Sequence, residues 1–319
     1  MAGPHILVVR VSSMGDIIHC LPAAATLKHS FPGSVLDWVV APCWAVLLEG
    51  NPFVDRLIPF ERRSTRSWLE AWRQLRKARF DFAVDLQGLV QSAFLASLAR
   101  ADRIFGFHQS QVREKLAALF YSTKVRASAA HIVDRNLELA AAAGASSLLR
   151  TFPLPQGSAE GDLPSGDFVL ASPLAGWAGK QWPLEFYPAL ARRLREELGI
   201  PLVLSAPPQA APSPDLQLYP CSVAGLIHAT RRSLAVVGID SGPLHLAAAL
   251  GKPGVAIFGP TDPARNGPYG ATFTVLRSPR ALTSYKRRAE IEASMREISP
   301  DAVFEALRTR IRKRADASL

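Results

Sequence analysis

The sequence is poor in cysteine and contains neither a long apolar segment nor a common nucleotide-binding fingerprint. Its three cysteines are far apart in a chain of 319 residues, which fits reduced thiols in the cytoplasm better than a disulfide framework or a zinc site. No apolar run is long enough to span a bilayer, and we expect no secretory signal because the first residues lack a basic region. The patterns G-x-G-x-x-G and G-x-x-x-x-G-K-S/T are absent, which argues against nicotinamide, flavin and P-loop nucleotide enzymes.

Acidic residues are outnumbered, because 27 Asp and Glu face 37 Lys and Arg and give a formal charge of +10. This excess predicts an anionic partner, although solubility alone would also explain it. Aromatic residues are not interleaved with the basic ones, and no nucleic-acid-binding module is recognisable. We therefore expect no nucleic-acid partner.

Apolar strand-like runs alternate with helical patterns in both halves of the chain, which predicts an α/β protein with parallel sheets. In the first half we predict strands at 6–11, 35–40, 56–59, 82–85 and 103–105, and helices at 68–77, 90–99 and 133–143. Segment 144–166 contains proline, serine and glycine without periodicity, which is typical of a linker. The predicted domains are therefore 1–150 and 167–298.

The second half repeats the alternation and ends in a predicted helix at 299–319. Strands are expected at 168–171, 201–205, 234–237, 255–258 and 273–276. Ser299 and Pro300 suit the N-cap and first turn of the last helix. Val303, Leu307 and Ile311 then form an apolar stripe.

The most informative segment is Asp240-Ser241-Gly242-Pro243-Leu244-His245, which lies between a buried strand and a helix. Ligands bind at this edge of open α/β sheets, and a helix N-terminus favours phosphate. Taken singly, Asp240 and Ser241 are best explained as helix caps and His245 as a packing residue. The whole cluster favours a nucleotide-diphosphate site.

Two further turns place polar side chains after predicted strands. Asp16 follows the first strand, and its position is equally compatible with capping the next helix and with deprotonating a hydroxyl. His19 lies one helical turn later and suits packing better than partnership with Asp16. Lys180 follows the strand at 168–171, where it could contact a phosphate as a point charge, although a solvated loop lysine is the commoner case.

Together these segments resemble the bacterial ADP-heptose:lipopolysaccharide heptosyltransferases, glycosyltransferase family 9. The resemblance spans nearly the whole chain and rests on motifs in the family's order: Ser12-Ser13-Met14-Gly15-Asp16, Lys180-Gln181-Trp182-Pro183, Asp240-Ser241-Gly242-Pro243-Leu244-His245 and Phe258-Gly259-Pro260-Thr261-Asp262-Pro263. The segments 85–90 and 119–121 look more like heptosyltransferase I, which adds the first heptose to Kdo, than heptosyltransferase II.

The resemblance implies a GT-B fold, in which two Rossmann-like domains with parallel sheets face a central cleft. The first domain would bind an anionic Kdo–lipid A acceptor and the second an ADP-sugar, while the helix at 299–319 would cross back to the first domain. The family inverts the anomeric carbon without a metal or cofactor, with ADP-heptose as co-substrate, peripherally at the inner face of the cytoplasmic membrane. By matched positions, the expected site residues are the catalytic base Asp16, the donor-binding residues Lys180, Asp240, Ser241, Gly242 and His245, and the acceptor-binding residues Arg62, Arg63, Arg66 and Arg113.

Some positions depart from the family pattern. Ala175-Gly176 replaces hydroxyl residues before the lysine, and Ala206-Pro207 replaces an acidic residue after a strand. These changes leave two alternatives open: a GT-B enzyme for another nucleotide sugar or acceptor, such as a heptosyltransferase II-like enzyme, and a nucleotide-sugar-binding protein without turnover. Asp16 and Lys180 argue against the latter.

Overall fold

A computed structural model describes residues 3–207 and 213–316. The chain divides into two compact units, Met1–Pro155 and Gln156–Leu319. The division falls inside segment 144–166, which the sequence analysis interpreted as a linker. Among the described residues, no helix is both long and apolar enough to cross a membrane.

The first unit is built on a six-stranded parallel sheet. Its strands are β1 (His5–Val9), β2 (Val35–Val40), β3 (Arg56–Pro59), β4 (Phe82–Asp85), β5 (Arg103–Phe107) and β6 (Thr123–Val125). They pair in the order β3-β2-β1-β4-β5-β6. The helices are α1 (Met14–Ser30), α2 (Thr65–Arg76), α3 (Val90–Leu98) and α4 (Ile132–Ala142), with 3-10 turns at Pro42–Leu48 and Lys115–Phe120. The central strands are buried because parallel sheets carry helices on both faces.

The second unit repeats this plan. Its strands are β7 (Val169–Ser172), β8 (Leu202–Leu204), β9 (Gln217–Leu218), β10 (Ala235–Ile239), β11 (Gly254–Phe258) and β12 (Phe273–Arg277), paired in the order β12-β11-β10-β7-β8-β9. The helices are α5 (Phe186–Leu198), α6 (Val223–Arg232), α7 (Gly242–Ala249), α8 (Pro263–Asn266), α9 (Ala293–Arg296) and α10 (Pro300–Asp316), and a 3-10 turn spans Ala178–Lys180. When the strands of each unit are numbered from 1 to 6 along the chain, both sheets have the order 3-2-1-4-5-6, which is the Rossmann order.

The last helix packs on the sheet of its own unit. The Ser299 hydroxyl accepts a hydrogen bond from the Ala302 backbone N–H at 3.2 Å, which is the predicted N-cap. Val303 and Leu307 are fully buried in the second core, and Ile311 packs against it. The apolar stripe is thus explained within the second unit, while the expected return of this helix to the first domain stays a prediction.

Candidate functional site

In each sheet the chain starts at a central strand, adds strands toward one edge, and then returns to the centre to add strands toward the other edge. This topological switch point lies between β1 and β4 in the first unit and between β7 and β10 in the second. Chain segments leave such a switch point toward opposite faces, which opens a crevice beyond the carboxyl ends of the strands. Asp16 follows β1, Lys180 follows β7 and Asp240 follows β10. The three predicted residues therefore lie at the crevice of their own sheet.

Asp16 occupies the third position of α1 and both of its carboxylate oxygens have partners. Oδ2 accepts hydrogen bonds from the backbone N–H of Ser13 at 3.0 Å and from the Ser13 hydroxyl at 2.7 Å. Oδ1 lies 2.7 Å from a guanidinium nitrogen of Arg10. Asp16 therefore caps the start of α1, which is one of the two roles expected for it. The same contacts fix the direction of its carboxylate.

The surroundings of Asp16 keep it ionised. Burial of the group raises its pKa, but the charge of Arg10 and the hydrogen bonds from Ser13 outweigh that effect and hold the pKa well below its usual range. The Asp16 side chain remains 42% exposed. At neutral pH this carboxylate is charged, oriented and accessible, which are the properties that a proton acceptor needs.

Arg10 and the loop after β4 support the Asp16 turn. A second guanidinium nitrogen of Arg10 donates to the backbone carbonyl of Leu86 at 2.5 Å. The Val11 backbone N–H donates to the side-chain oxygen of Gln87 at 2.6 Å. The turn that carries Asp16 is therefore attached to the neighbouring strand end by two hydrogen bonds.

That neighbouring loop is itself held by a buried carboxylate, Asp85. One oxygen accepts from the backbone N–H groups of Gln87 and Gly88 at 2.8 and 3.3 Å, and the other accepts from the hydroxyls of Ser92 and Tyr121 at 2.8 and 2.7 Å. Burial raises the pKa of Asp85 despite these donors. Gly88 has φ +70°, a conformation that favours glycine. The sequence pattern alone does not predict this network, although the position of Asp85 at the end of β4 was an available signal.

His19 packs within α1 and also acts on Asp16, because its charge contributes to lowering the pKa of that carboxyl. It is buried in α1, and its ring meets the ring of His131 edge-on with 5.8 Å between centroids.

The four arginines predicted to bind the acceptor lie in two segments of the first unit. Arg62 and Arg63 are exposed before α2, whereas Arg66 in its first turn forms an ion pair with Glu70 at 2.7 Å. Arg113 is exposed in the segment before the 3-10 turn Lys115–Phe120.

A cavity of about 570 Å³ connects these two segments. Arg62 and Glu114, the residue after Arg113, both line it. The remaining lining is mainly apolar and consists of Trp68, Leu89, Val90, Gln91, Phe94 and Phe120. Glu114 also accepts a hydrogen bond from the Val90 backbone N–H at 2.8 Å, which occupies its carboxylate at the start of α3.

In the second unit, Asp240 forms a compact charged cluster with Lys180 and His245. Lys180 Nζ lies 3.2 Å from one carboxylate oxygen of Asp240, and His245 Nε2 lies 3.5 Å from the other. Burial raises the pKa of Asp240, but His245 and Lys180 outweigh it and lower the pKa to about 2. The predicted donor-binding residues Lys180, Asp240 and His245 are therefore brought together.

Lys180 is not the solvated loop lysine that its spacing alone would suggest. Its side chain is largely buried, and Nζ lies 5.7 Å from the centre of the Trp177 ring. The pairing with Asp240 fixes the ammonium at the crevice. A cation held in this way can meet a phosphate without first being ordered.

Ser241 and Gly242 form the N-terminus of α7 beside this cluster. The Ser241 hydroxyl oxygen is buried and has no hydrogen-bond partner within the described residues. A Cβ on Gly238 in β10 would come within 2.9 Å of Leu244, so glycine there lets α7 pack closely on the strand. The helix start thus offers backbone N–H groups and a hydroxyl to an anionic ligand.

Thr261 is a further neighbour of the cluster that the sequence analysis did not assign. It is buried after β11, and its hydroxyl contributes to lowering the pKa of Asp240. Its position three residues beyond the end of β11 was the available signal. Across residues 3–207 and 213–316, no group of three or more His, Cys, Asp or Glu side chains is arranged to hold a metal ion.

Comparison with known sequences identifies a family and similar proteins. The model of glycosyltransferase family 9 (heptosyltransferase) matches residues 68–295. Lipopolysaccharide heptosyltransferase 1 of Escherichia coli K12 is 31% identical over 307 residues, covering 86% of this chain and 94% of that protein. The protein of the same name from Pseudomonas aeruginosa is 31% identical over 303 residues, covering 86% of this chain and 84% of its own length.

Solved structures of glycosyltransferase family 9 proteins are also similar to this chain. The structure of E. coli heptosyltransferase WaaC with ADP matches with a TM-score of 0.78 at 29% identity, covering 96% of this chain and 99% of that chain. A glycosyl transferase family 9 structure from Veillonella parvula has a TM-score of 0.79 at 20% identity, covering 97% and 98% of the two chains, and supports the fold alone. The predicted α/β fold class, two parallel sheets of the GT-B type, is confirmed.

Proposed function

The chain belongs to glycosyltransferase family 9, the heptosyltransferase family, and from that premise we propose that it moves heptose from ADP-heptose to the Kdo of lipid A–Kdo during synthesis of the lipopolysaccharide inner core. Two observations on relatives support this substrate pair. Several similar proteins are named lipopolysaccharide heptosyltransferase 1, and the WaaC structure contains ADP. The single observation on this chain that carries the proposal is the ionised, accessible Asp16 carboxylate beside Arg10.

Asp16 is the proposed general base. A sugar hydroxyl has a pKa far above neutral, so its proton must leave as the new bond to the anomeric carbon forms. In this proposal the hydroxyl oxygen attacks the anomeric carbon, the bond from that carbon to the ADP oxygen breaks, and the proton passes to Asp16. Attack on the face opposite to ADP inverts the anomeric configuration.

The cluster at the start of α7 is the proposed donor site. ADP gains negative charge as it leaves, and Lys180 with the N-terminus of α7 at Gly242 supplies positive charge for it. Ser241 supplies a hydroxyl, while Asp240 and His245 hold Lys180 in place. Because Lys180 and the N-terminus of α7 supply this positive charge, we propose that the reaction needs no metal ion.

The arginines Arg62, Arg63, Arg66 and Arg113 are the proposed contacts for the phosphates and carboxylates of the acceptor. Guanidinium groups bind such anions through paired hydrogen bonds. Because the acceptor is a lipid, we place the enzyme in the cytoplasm, peripherally at the inner face of the cytoplasmic membrane. The excess of basic residues supports attraction to that anionic surface.

A donor screen tests this function. Purified protein is incubated with ADP-, UDP- and GDP-sugars, with and without a Kdo-lipid acceptor, and nucleotide release is measured together with the anomeric configuration of the product. We expect acceptor-dependent release of ADP from ADP-heptose, an inverted product and full activity with a chelator present. Release from a different nucleotide sugar, or binding of ADP-heptose without turnover, would contradict the proposal.

The second candidate is a GT-B enzyme with another donor or acceptor. The specific observations that favour it are Ala175-Gly176 and Ala206-Pro207, which lack the hydroxyl and acidic groups expected in the donor loops. The screen decides between the two enzymes, because the alternative predicts a preference for another sugar or for an acceptor that already carries heptose.

A further inference from the structure

The first unit exposes large apolar side chains on two elements, α2 and the 3-10 turn Lys115–Phe120, and both elements pack against α3. Leu69 and Trp72 of α2 are 45% and 40% exposed, and Leu116 and Leu119 of the 3-10 turn are 65% and 76% exposed. With Arg73 and Arg76 of α2, these four residues form what we call the apolar–basic face. Scattered exposed leucines are ordinary on protein surfaces, whereas grouped ones mark an interaction site.

The two halves of this face are joined by a row of aromatic rings. Trp68 of α2 meets Phe94 of α3 at 5.8 Å between centroids, and Phe94 meets Phe120 of the 3-10 turn at 6.2 Å. Trp68, Phe94 and Phe120 also line the cavity of about 570 Å³. Trp72 lies one helical turn beyond Trp68 and therefore continues this row on the same side of α2.

The geometry of the 3-10 turn explains the exposure of its leucines. A 3-10 helix has three residues per turn, so Leu116 and Leu119 lie on one side. Ala117 and Ala118 occupy the buried side against Tyr121. This element is anchored by small residues and presents its large apolar residues to the exterior.

Positive charge surrounds these apolar side chains. Segment 61–79 contains seven Lys and Arg residues and two acidic ones. The Arg76 guanidinium lies over the Trp72 ring, 5.7 Å from its centre. Arg73 and Lys77 are exposed and form no ion pair within the described residues. Their charge is therefore available to an anionic partner.

We propose that the apolar–basic face docks the enzyme on an anionic lipid bilayer. Amphipathic helices with Trp and Leu on one face and Arg on the flanks insert into the boundary between headgroups and acyl chains. Arginines near the surface add attraction to anionic lipids. This docking rests on the proposed function only for its biological role, because a lipid acceptor would be presented at the bilayer surface.

Vesicle co-sedimentation tests the proposal. The probes are vesicles of phosphatidylcholine alone and of phosphatidylcholine mixed with anionic phosphatidylglycerol. We expect the full chain to bind the anionic vesicles, with weaker binding as salt rises. Serine at Leu69, Trp72, Leu116 and Leu119 together should lower the apparent affinity at least about tenfold. Arg73→Gln with Arg76→Gln should lower it by about tenfold.

Matched control variants change exposed residues of the second unit. Leu174→Ser with Leu282→Ser removes exposed leucines, and Arg287→Gln with Arg288→Gln removes exposed arginines. Both controls should bind vesicles like the parent. A parent that does not bind anionic vesicles would overturn the proposal, as would equal losses in the face and control variants.

A fluorescence measurement keeps the proposal testable if the fourfold variant misfolds. Brominated lipids should quench tryptophan fluorescence in the parent, and Trp72→Phe should remove most of that quenching while retaining binding. Unchanged quenching in Trp72→Phe would contradict docking through this face.

Turnover on a deacylated, water-soluble acceptor separates the two proposals. Face variants should keep it, and a parent that binds vesicles but transfers no heptose would defeat only the proposed function.

Discussion

Each unit pairs an aspartate with a cation near the switch point of its sheet, but the strands that carry the two members differ and so does the exposure of the carboxylate. In the first unit Asp16, in the first turn of α1, pairs with Arg10 at 2.7 Å, and in the second unit Asp240, directly after β10, pairs with Lys180 at 3.2 Å. The Asp16 side chain is 42% exposed, whereas that of Asp240 is 9% exposed. In the first pair the carboxylate reaches the crevice, and in the second it is enclosed.

This difference in exposure fits the two separate roles that we propose for the pairs. Arg10 is largely but not fully buried and donates to the carbonyl of Leu86, so it holds Asp16 in a fixed, ionised state. In the second unit Asp240 is the buried partner, and together with His245 it fixes the position of Lys180. We infer that the first pair offers a base and the second offers a cation to the phosphates.

The largest effect is expected from Asp16→Asn. The amide cannot accept the proton, so turnover should fall by roughly two to four orders of magnitude, as for other lost general bases. ADP affinity should remain at the parental value because the proposed donor site lies in the other unit. Rates are measured by product formation, and the control is Asp102→Asn, which changes an exposed carboxylate paired with Arg79 in the same unit. Near-normal turnover in Asp16→Asn would remove the base assignment.

Lys180→Ala should act on ADP binding. Loss of a charge-assisted contact to the diphosphate should weaken binding by roughly 1.5–3 kcal/mol, or about tenfold to 150-fold. Titration calorimetry with ADP measures this, and the exposed Lys286→Ala in the same unit is the control. If both lysine variants bind ADP like the parent, Lys180 has no role in holding the donor.

Much of the fold was predictable because buried apolar runs end at recognisable turns. The strands at 35–40, 56–59 and 82–85 agree residue by residue with β2, β3 and β4, and the first strand ends at Val9 rather than at position 11. The strand order was not predictable, because parallel strands pair through contacts between distant segments. Nothing local in β1 indicates that β4 will be its neighbour.

The candidate site was likewise predictable only in part. Asp16, Lys180 and Asp240 could be selected because each follows a strand or precedes a helix. Their partners could not all be identified, since Lys180 and Asp240 are 60 positions apart in the sequence. The buried bond between Tyr121 and Asp85 likewise joins residues 36 positions apart. Such contacts depend on the strand order, which the sequence pattern leaves open.

Asp240→Asn tests the buried pair through stability. The pKa of Asp240 is lowered to about 2, so its ionised form stabilises the folded chain above the unfolded pKa, and this is lost as pH falls toward 2. The variant should be less stable at pH 7 by roughly 2 kcal/mol. Its stability should also fall less than the parent's between about pH 4 and pH 2. Denaturant unfolding measures both, with exposed Asp162→Asn as control; identical pH curves for parent and Asp240→Asn would contradict the role of the pair.

A smaller effect is expected from replacing Arg62, Arg63 and Arg66 together with alanine. Exposed arginines bind anions weakly because water and salt screen them. The acceptor KM should rise by about three- to tenfold, while ADP binding stays unchanged. Alanine at Lys286, Arg287 and Arg288 removes the same charge from the second unit and should leave the acceptor KM alone. Equal acceptor kinetics in both variants and the parent would mean that the first cluster is only a solvated charged surface.

The central claim is that the rate depends on an Asp16 carboxylate whose ionisation Arg10 controls. The most direct test is the pH dependence of kcat/KM for Arg10→Gln, with Arg10→Lys as the charge-conserving control. Arg10 lowers the pKa of Asp16, so its removal should move the acid side of the profile upward, toward the usual carboxylate range near roughly pH 4. Arg10→Lys should keep the parental profile. If the acid side of the Arg10→Gln profile does not move while the protein stays folded, Asp16 is not the group that accepts the proton.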